Sequence, residues 1–346
     1  MTPKNYDLTF HYFRAFAIVS VMLTHMWVGP VLAGSEDAAR LQDSLRLCLF
    51  HSATIYFVFI SGYLFDFVNR RKGQFPPLRF YKSKIVNVFC PYFILSLLLL
   101  AAGWISHHWF GYDIPFINDG TPVASLWDVL RCLAYGSASL VPYWYIPFIM
   151  TVFSVGPLIF HLPTGLLQKI LLPASVLPLM VPRLLVSPLR NLCFFVPIFL
   201  MGVYCARNRD ACMAFIRRHL SAIRVTAVLT SLLIHYFGSF MPNIEGAYYV
   251  QKLCIGSWVL ELLEGMDREV LALDFLARYS FPLFFLHAIF QGIFQAPLFQ
   301  VLGAALPGQV FTIANLTVTV EIALCILCIL GIKKVMGKRS RYLIGG

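Results

Sequence analysis

The chain has 346 residues, of which 59% are hydrophobic and only 12% charged, and its mean hydropathy is +0.75. A soluble domain of that size needs a far more polar surface, so the composition excludes an ordinary cytosolic enzyme or binding module. The net charge of +11 comes from 27 Lys and Arg against 16 Asp and Glu. The excess sits in short loops beside apolar runs, where it orients a membrane protein and meets anionic lipid, so it calls for no nucleic-acid partner.

Apolar runs of about 20 residues recur along the whole length, each long enough to cross a hydrocarbon core of about 30 Å. They predict an all-α, polytopic membrane protein forming one integral membrane domain over 1–346, with no separate soluble domain. About ten spans are expected, near 13–33, 50–68, 85–105, 142–161, 166–186, 190–206, 225–240, 247–264, 279–299 and 310–332, with both termini cytoplasmic. The N-terminus lacks the short apolar core and small-residue cleavage site of a secretory signal. Basic clusters at Arg70–Lys84, Arg207–Arg224 and Lys333–Arg341 then fall on the cytoplasmic side, as the positive-inside bias requires.

The first span, Phe13–Ala33, carries Arg14 at its entrance and His25 well inside. Eleven residues separate them, almost a whole number of helical turns, so both side chains point the same way about 16 Å apart. Ionisable groups inside a span are costly and usually face the bundle interior. His25 is either a packed histidine bonded to a neighbouring helix or a proton-transfer group and nucleophile. Arg14 alone reads as a snorkelling charge. Together they suggest a ligand lying along the helix, its anionic head at the cytoplasmic end and a reactive group deeper in. Coenzyme A thioesters have that shape, and the planar arginine fork suits their phosphates.

In the second span, Ser61 and Gly62 read as small residues that permit close helix packing, Ser61 also as a pathway group. Tyr143, Trp144 and Tyr145 in the fourth read as an interfacial aromatic belt or as a stacking platform for a sugar. Prolines 173, 178, 182, 188 and 197 predict kinks around the fifth and sixth spans. His287 in the ninth span reads as a packed histidine or a pathway residue. Glu321 lies in the last span, where a charged form costs about 3 kcal/mol, so it should be protonated or paired with a histidine or arginine of another helix. The nine cysteines do not pair by spacing, and the CxxC of Cys325 and Cys328 lies in an apolar helix, so neither zinc nor redox chemistry is expected.

Four segments carry a resemblance to a known family. FHYFRAFAIVSVMLTH (Phe10–His25) resembles the first-helix signature of the acyltransferase-3 membrane proteins, in which Arg or Lys precedes His by this interval. IYFVFISGYLF (Ile55–Phe65), VPYWYIPFIMTVFSVGPLI (Val141–Ile159) and YSFPLFFLHAIF (Tyr279–Phe290) are similar to later segments of that family, in the same order. The resemblance implies transfer of an acyl group, acetyl foremost, from cytoplasmic acyl-CoA to a hydroxyl of a lipid-linked or cell-surface glycan at a bacterial cytoplasmic membrane. It implies that Arg14 and His25 are the essential first-helix pair, with Arg79, Lys82 and Lys84 helping to bind the donor. The register of the family's paired arginines falls on Lys84 and Asn87, with Pro91 closing the motif. His11 stands where many members carry an acid, and Pro142 where many carry a histidine. The alternative from another class is a polytopic exporter of a glycan or small molecule that uses the same polar groups as a pathway.

Overall fold

The computed structural model describes residues 7–26, 36–73, 75–114, 117, 123–136, 140–183, 187–266, 269–306 and 308–345. Among these the chain is helical, with no strand. The helices are α1 (Leu8–Thr24), α2 (Glu36–Phe50), α3 (Thr54–Arg70), α4 (Pro77–Lys84), α5 (Cys90–Phe110), α6 (Leu126–Tyr135) and α7 (Tyr145–Ser154). They continue as α8 (Gly156–His161), α9 (Thr164–Ala174), α10 (Leu177–Met180), α11 (Pro188–Arg207), α12 (Arg209–Arg218) and α13 (Leu220–Phe237). The last are α14 (Ile244–Glu264), α15 (Leu271–Ala305), α16 (Val310–Met336) and α17 (Arg341–Ile344).

Six helical stretches among the described residues are long and apolar enough to cross a membrane: Glu36–Arg70, Pro77–Phe110, Pro188–Arg207, Leu220–Phe240, Leu271–Ala305 and Val310–Ile344. Leu8–Thr24 and Thr164–Met180 are apolar but shorter. Rows of exposed apolar side chains such as Val225, Val228, Leu229 and Leu232 on α13 would be a liability in water and are satisfied by lipid. The protein is thus a multi-pass, all-helical membrane protein.

Two features depart from the expected boundaries. The first helix stops at Thr24 instead of running on, so His25 caps its C-terminus and does not sit mid-span; residues 27–33 of that expected span lie outside the described ones. The fifth expected span is broken between Ala174 and Leu177, where Pro173 and Pro178 withdraw backbone donors.

The core is built on α3 lying along α11, with α1 against α15 and α15 against α16. Glycine makes the first contact possible. A Cβ on Gly202 would fall 2.0 Å from the Phe59 carbonyl oxygen, and one on Gly62 would fall 1.9 Å from that of Phe199. This fits the packing role expected of Gly62 and turns Ser61, its neighbour, away from the seam. Phe65 fills the adjoining layer with Phe80, Phe153 and Phe199 around it, ring centres 5.5–6.4 Å apart.

One end of the bundle is pinned by ion pairs that tie the basic clusters down. Asp66, fully buried, accepts from Arg70 Nε at 2.7 Å and lies 2.9 Å from Arg207 Nη2. Arg209 bridges Asp7 and Glu264, and Arg217 also reaches Glu264. Beyond the other end, α6 opens with a capping box in which the Ser125 hydroxyl and backbone N–H donate to Asp128, holding that carboxyl below its ordinary range.

Candidate active site

A cavity of about 540 Å³ opens at the basic end and runs inward between α1, α3, α4, α7 and α15. Its polar lining is Arg14, Ser61, Asn69, Lys72, Arg79, Ser83, Lys84, Asn87, Tyr145 and Ser280, with Phe57, Ile60, Phe65, Ile149 and Phe153 among the apolar walls. Among the described residues four cations and no carboxylate face it, so its potential favours an anion. The size lies within the usual range for small-molecule sites, roughly 300–1,000 Å³.

Each cation is placed by local structure. Arg14 reaches α15, where its Nη2 donates to Ser280 Oγ at 3.0 Å while that hydroxyl donates to the Ala277 carbonyl at 2.9 Å. Lys84 lies with its ammonium 4.3 Å from the Phe153 ring centre and 5.3 Å from that of Phe80, a cation–π seat on the cavity wall. Between α4 and α5 the chain makes one π-helical turn, Ile85–Phe89. Pro91 explains it: proline has no N–H for the carbonyl four residues back, and the wider turn accommodates the loss. The turn presents both Lys84 and Asn87 to the cavity, the two positions on which the sequence register of the paired arginines falls. The C-terminal segment packs onto the same turn. There Gly345 takes φ 71°, and a Cβ on it would sit 2.7 Å from the Asn87 carbonyl oxygen. Of the residues expected at the donor site, Lys82 alone is absent from the lining; one turn-fraction away from Lys84, it is exposed to the outside.

His25 lies at the far end of α1, and like Arg14 it faces α15: its ring centre is 5.9 Å from that of His287. The end of α1 leaves carbonyls without helical partners, and side chains from two other helices take them. Gln291 and Gln295 of α15 donate to Met22 and His25 at 3.2 Å. From α2, Gln42 donates to Met26 at 2.6 Å and Arg46 to Thr24. The His25 backbone is therefore clamped. His287 is fully buried, and its Nδ1 lies 2.8 Å from the Phe284 carbonyl, so Nδ1 carries the proton and Nε2 keeps a lone pair, with no hydrogen-bond partner among the described residues.

The cavity does not open onto His25. Its inner end is closed by Phe57 and Tyr145, and Phe284 stands behind them, 6.1 and 5.4 Å away between ring centres. Phe284 is in turn 6.0 Å from His287. An aromatic neck thus separates the cationic chamber from the histidine pair. Ser61 sits at this neck, its Oγ 2.7 Å from the Tyr145 hydroxyl.

One expectation needs correction. Tyr143, Trp144 and Tyr145 form no exposed belt; they are 0%, 6% and 3% exposed, because a short 3-10 turn feeds them into the core, where Trp144 packs on Phe195 with ring centres 4.9 Å apart. Tyr145 reaches the cavity and Trp144 does not. Glu321 is fully buried, and among the described residues neither a histidine nor an arginine pairs with it, which leaves the protonated alternative of the two expected; both carboxyl oxygens lack a hydrogen-bond partner of normal geometry, and the polar side chain facing it is Gln291.

The sequence reading passed over Asp66 and a second group of polar residues: His51, Arg183, Glu245 and Lys252. His51, Asp66, Arg183 and Lys252 each carried a readable signal, since an ionisable side chain lies there inside an expected span. That His51, Arg183 and Lys252 come together with Glu245 depends on contacts far apart in the chain.

A family model described as an acyltransferase domain, of the acyltransferase-3 type, matches residues 7–332. No curated protein and no solved structure matches the chain. The match spans α1 to most of α16 and so takes in the whole cavity, the neck and both histidines: the chain belongs to the acyltransferase-3 family of membrane acyltransferases.

Proposed function

We propose that the protein moves an acyl group, acetyl foremost, from cytoplasmic acyl-CoA to a hydroxyl of a lipid-linked or cell-surface glycan. It would do so in the bacterial cytoplasmic membrane, crossing it about ten times with both termini on the cytoplasmic side. The observation that carries this reading is the cation-only chamber on the same face of α1 as the histidine pair. A polyanionic head and a slender reactive arm suit a basic mouth that narrows to an aromatic neck.

The chemistry follows from the residues. Lys72, Arg79 and Lys84 neutralise the phosphates, and Arg14 anchors the arm where the chamber narrows. The thioester carbon passes the Phe57–Tyr145–Phe284 neck to reach His25. Acting as general base, His25 takes the acceptor's hydroxyl proton as oxygen bonds to the acyl carbon; the carbon–sulfur bond breaks and the proton goes to the thiolate. Acting as nucleophile, His25 bonds to the acyl carbon as the carbon–sulfur bond breaks and CoA leaves as the thiolate; the acceptor oxygen then displaces the imidazole from the acyl carbon, and the hydroxyl proton goes to the thiolate. His287, with its free Nε2, is the second imidazole available to relay the proton. A base contributes on the order of 10²–10⁴ in rate.

The test is reconstituted protein supplied with acetyl-CoA labelled in the acetyl group and with glycolipid extracted from the source membranes. Label in base-labile ester supports the reading. Movement of glycan across the vesicle without label points to the exporter.

A further inference from the structure

At the end of the bundle away from the cationic chamber, a second polar centre surrounds a break between two helices. α2 ends at Phe50, α3 begins at Thr54, and Ser52 between them adopts φ 63°, a left-handed conformation uncommon for any residue with a side chain. Such a conformation persists only where the surroundings impose it. Here Ser52 Oγ donates to Glu245 Oε2 at 3.0 Å, Arg183 Nε donates to the same oxygen at 2.7 Å, and His51 Nε2 lies 2.9 Å from Glu245 Oε1. The carbonyls of Cys48 and Leu49, freed by the break, accept from the buried Lys252 ammonium at 3.2 and 3.0 Å. A second pair, Arg46 and Asp43 at 2.5 Å, stands beside it.

Three properties of this centre point the same way. First, it touches the residues next to His25: Arg46 donates to the Thr24 carbonyl, and the Thr24 hydroxyl donates to the Phe50 carbonyl at 2.7 Å. Arg46 and His51 are both within electrostatic reach of the His25 ring. Second, it is fixed yet open to solvent: Asp43, Arg46, His51, Arg183 and Glu245 are between 13% and 33% exposed, and Lys252 alone of the group is buried. Third, its solvent-reachable guanidiniums and carboxylates pair one to one, Arg46 with Asp43 and Arg183 with Glu245, while the remaining cation, Lys252, is fully buried and turned onto backbone carbonyls; among the described residues the chamber at the other end holds only cations. A balanced set of fork donors and carboxylate acceptors suits neighbouring hydroxyls on a neutral molecule and gives an anion no advantage.

Resting on the acyl-transfer reading above, we propose that Arg46, His51, Arg183 and Glu245 form the acceptor site. It takes a neutral, hydroxyl-rich molecule of the sugar class and delivers one hydroxyl to His25 from the side opposite the thioester. In the step it serves, the hydroxyl oxygen bonds to the acyl carbon, the carbon–sulfur bond breaks, and the hydroxyl proton leaves through His25 to the departing sulfur.

The test is a split between two saturation curves on the full-length protein in proteoliposomes. Acetyl-CoA labelled in the acetyl group is the donor, and glycolipid extracted from source membranes is the acceptor. For Glu245→Gln and for the double variant Arg183→Gln/Glu245→Gln, the half-saturating extract concentration should rise tenfold or more, while half-saturating acetyl-CoA stays within twofold. The double variant removes both charges together, so it escapes the unpaired buried charge that would unfold a single variant; a thermal melt in detergent verifies it. Arg183→Lys should recover part of the acceptor affinity. An unchanged acceptor curve in a folded variant, or an equal shift in both curves, overturns the proposal. If the unaltered protein transfers no label at all, the acyl-transfer reading fails first and the acceptor site falls with it.

Discussion

Lys84→Met isolates the charge of the chamber from its shape. Methionine keeps the length of the lysine stem, so the contacts that Phe80 and Phe153 make with the side chain survive. What is lost in the fold is the cation–π attraction at 4.3 and 5.3 Å, worth about 1 kcal/mol at a part-exposed site. Sulfur–aromatic contact, about 0.3–1.5 kcal/mol, offsets it, so the melting temperature should barely move. The donor loses a charge-assisted contact to phosphate, about 1.5–3 kcal/mol. At 1.4 kcal/mol per decade that raises KM for acetyl-CoA roughly 10- to 150-fold. Lys84→Arg should stay near the unaltered value. The assay is release of CoA thiol against acetyl-CoA concentration, at two ionic strengths, since screening should shrink the difference. A KM within twofold of the unaltered protein in a folded Lys84→Met variant refutes the donor role of the cationic wall.

Other substitutions probe the scaffold. Gly202→Ala must push α3 from α11, because its Cβ would lie 2.0 Å from the rigid Phe59 carbonyl; a loss of about 1–3 kcal/mol should appear as a lowered melt in detergent. Asp66→Asn leaves Arg207, 3% exposed, without its counter-charge and should cost about 3–5 kcal/mol by the same measurement. Glu321→Gln should leave the melt unchanged or raised, since no hydrogen bond is broken at either carboxyl oxygen; a clear fall would reveal a partner. Phe284→Ala should widen the neck and raise the rate with butyryl-CoA relative to acetyl-CoA, read as a ratio of kcat/KM.

How much of this was readable beforehand depended on the range of the interaction. The helical period alone put Arg14 and His25 on one face, and both do meet α15, at Ser280 and His287. The pairing of Lys84 with Asn87 in one motif became a shared wall because Pro91 imposes a π turn, a local effect. The end of α1 was not readable, since it depends on Gln42, Arg46, Gln291 and Gln295 arriving from other helices to take its carbonyls. Trp144 looked interfacial because an amphipathic ring suits a membrane surface equally well; only the placement of Phe195 on α11 decides for the core. The His51–Arg183–Glu245 centre joins residues nearly two hundred positions apart, and nothing in local pattern announces it. Taken singly, His51, Asp66, Arg183 and Lys252 all lay inside expected spans and obeyed a rule already in hand, that an ionisable group within a span has work to do; only Glu245 lay outside one.

The central claim is that His25, beyond the aromatic neck, is where the acyl group changes hands. The measurement that tests it most directly is transfer of labelled acetyl from acetyl-CoA to base-labile ester by reconstituted His25→Ala. The variant should insert and melt like the unaltered protein, bind acetyl-CoA with similar affinity, and transfer no label above background. Transfer at the unaltered rate by that variant would contradict the account.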